Sequence, residues 1–142
     1  MRNKLLVFFA FISLSGYSQI NVIDFHYKVS NCAVIDSAAK YQVSSMTYPS
    51  YKEGDDALIK ELKALLQCKK FKSKDQGKYT AIVSNDWKEI TVTSTSEKVK
   101  DIKLFHIANF FKESKPNWNP LIANDKEVND YVFTISFEVW VE

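Results

Sequence analysis

The chain carries two histidines, His26 and His106, and two cysteines, Cys32 and Cys68. A histidine base would need a serine or cysteine nucleophile brought beside it in space. No local pattern does so. His26 stands on the polar side of an alternating run and His106 flanks an apolar helical face. The cysteines are too far apart, with too few histidines, for a zinc pattern. They are read either as a disulfide, Cys32–Cys68, or as two buried free thiols. A bridge would tie the N-terminal segment to the first helix and stabilise by about 2–4 kcal/mol. The only glycines are at 16, 54 and 77, so no glycine-rich phosphate loop exists, and HExxH and EF-hand spacings are absent. Asp55–Asp56 and Asp125 with Glu127 read as solvated acids at element ends. Trp87, between two strand-like runs, is the best candidate for an exposed aromatic; the favoured alternative is an ordinary turn residue folded back on the sheet. The expectation is a protein that is not an enzyme, with no catalytic residue, cofactor or metal.

Charge narrows the partners. Residues 1–18 hold Arg2 and Lys4, two of the 19 basic residues, and none of the 17 acidic ones. LLVFFAFISL follows the basic residues and SGYSQ follows it, the layout of a secretory signal peptide. The apolar run is shorter than the ~20 residues that span a bilayer. The alternative is an uncleaved membrane anchor. Cleavage is expected after Ser18, which leaves 17 basic and 17 acidic residues. A neutral exported domain, periplasmic or extracellular, is a poor binder of phosphate backbones, so nucleic acid is not an expected partner. Lys69, Lys70, Lys72 and Lys74 read as a solvated helix end.

Residues 19–48 read as an N-terminal strand and extension. VIDFHYKV, residues 22–29, alternates, with Ile23, Phe25, Tyr27 and Val29 on one side. From Asp55 to Lys69 the period becomes helical, with Leu58, Ile59, Leu62, Leu65 and Leu66 on one face. GKYTAIVS (77–84) and KEITVTST (88–95) form a hairpin around Asn85–Trp87. Residues 96–112 return to helical period, Ser94 and Glu97 being spaced as a capping box. Val99, Ile102, Phe105 and Phe110 fall on one side, and Leu104, Ile107 and Phe111 nearly opposite. Finally, Tyr131, Phe133, Ile135, Phe137, Val139 and Val141 alternate with polar residues, as in a long strand with one buried face. This order predicts an α+β fold, two helices packed on one face of a largely antiparallel three- to four-stranded sheet.

Two stretches carry a family resemblance. PSYKEGDDAL (49–58) resembles the entry to the C-terminal domain of TonB-type proteins: Pro49, Tyr51, Gly54, then two acids and Ala-Leu opening the first helix. WNPLIANDKEVNDYVFTISFEV (118–139) is similar to that domain's end, with Trp118, Pro120, Lys126, Val128 and Phe137 in place. Asp125 stands where the family turn usually has glycine. The resemblance spans roughly residues 43–141 and implies a domain over 49–142. Its members' known role implies a protein or peptide partner, such as a segment of an outer-membrane transporter, gripped by strand addition. The expected contact is Tyr131 to Val139 through main-chain groups, that is Tyr131, Phe133, Ile135, Phe137 and Val139. No proline-rich spacer is present, the prolines being at 49, 116 and 120. The reading is therefore a stand-alone exported TonB-like module linked to transmembrane transport. The alternatives are a small-molecule binder and a homodimer joined through paired edges or the second apolar helix face. Trp118 is expected to lie over the end of the core and fix the register of the last strand.

Overall fold

A computed structural model describes residues 19–32 and 45–142. The signal-peptide expectation for 1–18 and part of the extension at 19–48 lie outside the described residues. The strands are β1 (Ile20–Ser30), β2 (Met46–Thr47), β3 (Ser50–Tyr51), β4 (Gly77–Ser84), β5 (Ile90–Ser94), β6 (Trp118–Asn119), β7 (Ile122–Ala123), β8 (Lys126–Glu127) and β9 (Val132–Val141). The helices are α1 (Asp55–Cys68) and α2 (Asp101–Glu113). The main sheet is antiparallel, in the order β1-β9-β4-β5. The expected α+β class, with two helices over the sheet, is what the chain adopts.

The helices form where apolar residues recur. Leu58, Leu62 and Leu66 of α1 are fully buried, as are Ile107 and Phe111 of α2. α1 lies nearer β1 and α2 nearer β5. The second helix begins at Asp101, later than expected. Ser94 forms no capping box: its hydroxyl accepts the Ser96 N–H at 3.1 Å and closes a turn. The other side of α2 leaves Ile102 and Phe105 more than half exposed.

Alternation in β1 changes phase. Ile23 pairs with Glu138 and His26 with Ser136, so Asp24 and Phe25 stand opposite Phe137 alone. This is a β-bulge, and Asp24 adopts φ 54° within it. Ile20 and Val22 therefore face the core before the bulge, and Phe25, Tyr27 and Val29 after it. Ile23, expected among the inward residues, is exposed.

The two stretches that carry the resemblance meet in space. β3 pairs with β6, Tyr51 standing opposite Trp118 with ring centroids 5.2 Å apart, edge to face. Pro49 is buried one residue before β3, and Pro120 follows β6, half-buried. Asn124 and Asp125 both have positive φ, 51° and 63°, a type I′ signature between β7 and β8. Gly54, at φ 90° and ψ 166°, precedes α1 in a region that only glycine occupies readily. A Cβ there would meet nothing within 4 Å. Gly54→Ala is therefore expected to cost about 1–3 kcal/mol from backbone strain alone, readable as a shifted urea midpoint with an unchanged slope.

Four tyrosines give the fold an alkaline limit. Burial pushes the Tyr51 and Tyr79 hydroxyls up from 10.0 to about 12, and raises those of Tyr27 and Tyr131. Tyr51 also donates to the Glu61 carboxylate, and Tyr79 to the Asp75 carbonyl. The unfolded chain ionises first, near pH 10, while the fold keeps these groups neutral. Their stabilisation is thus fully present below pH 10 and is lost as pH rises toward about 12. Unfolding free energies measured from pH 9 to 12 should fall steadily, and less steeply in Tyr51→Phe.

Candidate functional site

The residues expected to grip a partner do not form an edge. β9 is hydrogen-bonded to β1 on one side and to β4 on the other. Tyr131, Phe133, Ile135, Phe137 and Val139 are all buried in the core. The correction has a simple cause. The N-terminal strand, which lies outside the resemblance, pairs with β9 along nearly its whole length and consumes the main-chain groups that a partner would need. Of the two readings of Trp87, the structure shows the turn residue folded back on the sheet. It folds back to 6% exposure, 5.5 Å from Trp118 and 6.2 Å from Phe133 between ring centroids. Cys32 and Cys68 are both free, the first buried and the second exposed at the end of α1. No bridge ties the N-terminal segment to the helix.

The edges of the main sheet are β1 and β5, and they differ. β1 is guarded by its bulge and by the exposed charges of Asp24 and Lys28, devices that discourage pairing with another chain. Near its start, Gln19 and Ile20 share a surface hollow with Asp56, Ile59 and Lys63 of α1. β5 reads ITVTS, with no charge, proline, glycine or bulge. Its ladder can be phased. Ser84 N–H bonds the Glu89 carbonyl at 3.0 Å, and Thr95 N–H bonds the Lys78 carbonyl at 2.9 Å. Antiparallel pairs alternate between bonded and non-bonded. With Thr80 opposite Thr93 and Ile82 opposite Thr91, Thr91 and Thr93 spend their main-chain groups on β4. Those of Ile90, Val92 and Ser94 point outward, and among the described residues none has a main-chain partner there.

No family model matches the chain, and no curated protein or solved structure matches it significantly.

The sheet face away from the helices carries the polar members of each alternation. His26, Ser136, Thr80 and Thr93 form one row, and Lys28, Thr134, Ile82 and Thr91 the next. His26 stands opposite Ser136, yet no hydrogen bond joins them. The Ser136 hydroxyl instead lies 3.4 Å from that of Thr80. His106 is half-buried on α2 beside the Phe105 ring. Among the described residues no cluster of His, Cys, Asp and Glu has the arrangement of a metal site, and no helix is long and apolar enough to cross a membrane.

Sequence reasoning recognised β9 as a long strand of the sheet but expected it at a free edge, whereas it lies between β1 and β4. It singled out no residue of β5. The signal available was composition, since ITVTS alone among the main-sheet strands has no charge, proline or glycine.

Proposed function

We propose that the chain is an exported, periplasmic interaction module of the TonB C-terminal type, which takes up an extended protein segment by strand addition at β5. A segment of an outer-membrane transporter is the partner that the resemblance suggests. The carrying observation is that β5 is the one main-sheet edge without a guard. The outward groups of Ile90, Val92 and Ser94 give such a segment its hydrogen bonds, and Thr91 and Thr93 flank it on the polar face.

A second reading uses the same edge. Two β5 strands paired antiparallel about Val92 place Thr91 opposite Thr93 and Ile90 opposite Ser94. That self-complementarity suits a twofold dimer, and Thr–Thr cross-strand pairs are favourable.

One pair of variants tests the edge. Val92→Pro removes an outward N–H without touching the β4 ladder, and Thr91→Lys adds a charge guard. Photo-crosslinking from position 93 in an intact cell envelope should capture a protein partner, and both variants should abolish it. Capture that survives both variants would place the interaction elsewhere. Light scattering separates the second reading: a dimer that both variants dissociate supports self-pairing.

A further inference from the structure

The bulge in β1 has an effect on the open face of the sheet. Beside it lies a cleft of about 340 Å³, lined by Asp24, His26, Lys78, Thr80, Ser136 and Glu138, with Phe137 at its floor. Three strands contribute. β1 supplies a carboxylate and an imidazole, β9 a carboxylate and a hydroxyl, and β4 an ammonium and a hydroxyl. Asp24 and His26, two residues apart on β1, border the same cleft at the bulge, with Phe25 turned into the core between them.

These groups are unspent. Among the described residues the side chains of Asp24, His26, Lys78 and Glu138 make no hydrogen bond or ion pair. Lys78 and Glu138 are direct cross-strand neighbours, yet no ion pair joins them. Charge is also separated across the cleft. The Asp24 carboxylate belongs to β1 and the Lys78 ammonium to β4, two inter-strand steps or ~10 Å apart at the backbone. Glu138 lies between them. The cleft's volume of about 340 Å³ gives room for an amino acid or dipeptide.

We infer that this cleft binds a small zwitterion, an amino acid or dipeptide with a free ammonium and a free carboxylate. The ammonium sits between Asp24 and Glu138, and the carboxylate meets Lys78. The Thr80 and Ser136 hydroxyls and the His26 ring take the remaining polar atoms. A cation alone would leave Lys78 opposed to it, and an anion alone would face two carboxylates. A ligand with both charges satisfies the whole set.

The test is a titration of the purified protein, followed by amide chemical shifts, with alanyl-alanine as the probe. N-acetyl-alanyl-alanine lacks the ammonium and alanyl-alanine amide lacks the carboxylate. Alanyl-alanine should give saturable shifts around residues 24–26, 78–80 and 136–138. Each capped analogue, and each of Lys78→Met and Glu138→Gln, should weaken binding about ten- to hundredfold. In Lys78→Met the free acid and its amide should bind alike, and the unchanged spectrum elsewhere reports an intact fold. No saturable shift up to about 10 mM, tenfold above a Kd of about 1 mM, overturns the inference. So does equal binding of the capped and uncapped peptides. Neither outcome bears on strand addition at β5, which is read by crosslinking.

Discussion

Trp118→Ala lowers the unfolding free energy by about 3–5 kcal/mol, the range for removing a buried large aromatic. The side chain is 5% exposed and touches four other rings. Tyr51, Tyr27, Trp87 and Phe133 surround it at centroid distances of 5.2, 5.9, 5.5 and 5.5 Å. Its indole N–H donates to the Ser114 hydroxyl at 2.9 Å, and that hydroxyl donates to the Phe111 carbonyl at 2.7 Å. One residue thus joins β1, β3, the β4–β5 turn, the end of α2 and β9. Chemical denaturation measures the loss. Trp118→Phe should recover much of the packing but leave the Ser114 hydroxyl without its donor, at a cost of about 1–2 kcal/mol. A loss below about 1 kcal/mol for the alanine variant would contradict this packing.

Lys103→Met destabilises by about 3–5 kcal/mol, because it strands a buried charge. Asp75 is fully buried, and one of its oxygens receives both the Lys72 N–H, at 2.8 Å, and the Lys103 ammonium, at 2.5 Å. Its other oxygen has no partner among the described residues. Lys103 also donates to the Lys70 carbonyl and lies 5.1 Å from the centre of the Phe71 ring. Methionine retains the apolar stem over Phe71, so the loss isolates the charge. Asp75→Asn combined with Lys103→Met should cost less than the lysine change alone, since the buried carboxylate is gone. A double-mutant cycle with no coupling between the two positions would show that the pair does not fix α2 to the turn before β4.

Much of the architecture was legible because it depends on local period. α1 follows its leucines almost to the residue, and β4, β5 and β9 follow their alternation. The illegible parts depend on partners distant in sequence. INVIDFHYKVS contains two alternating phases, and only the register against β9 selects both by inserting a bulge. Strand order is not written in a single strand, so the edge status of β9 could not be read from Tyr131–Val139. Asp75 and Lys103 lie in segments with no shared pattern, and Asp75 stands beside lysines that read as solvated. The start of α2 was misplaced because a serine three residues before a glutamate also suits a tight turn. The open-face cleft needs the polar positions of three strands at once. Trp118 was placed correctly for a local reason: a large apolar ring held between Pro116 and Pro120 has little to do but cover the core.

The strand order also sets a timetable. β9 is the common neighbour of β1 and β4, and it is synthesised after every other described strand. Until it emerges, β1 has no strand partner among the described residues, and β4 has only its hairpin with β5. The β1–β9 ladder joins residues more than a hundred positions apart, Ile20 standing opposite Val141, a contact whose loop-closure cost slows folding. A chain of this topology keeps the long β1–β9 ladder open until its last strand is available, and the main sheet closes in one late step.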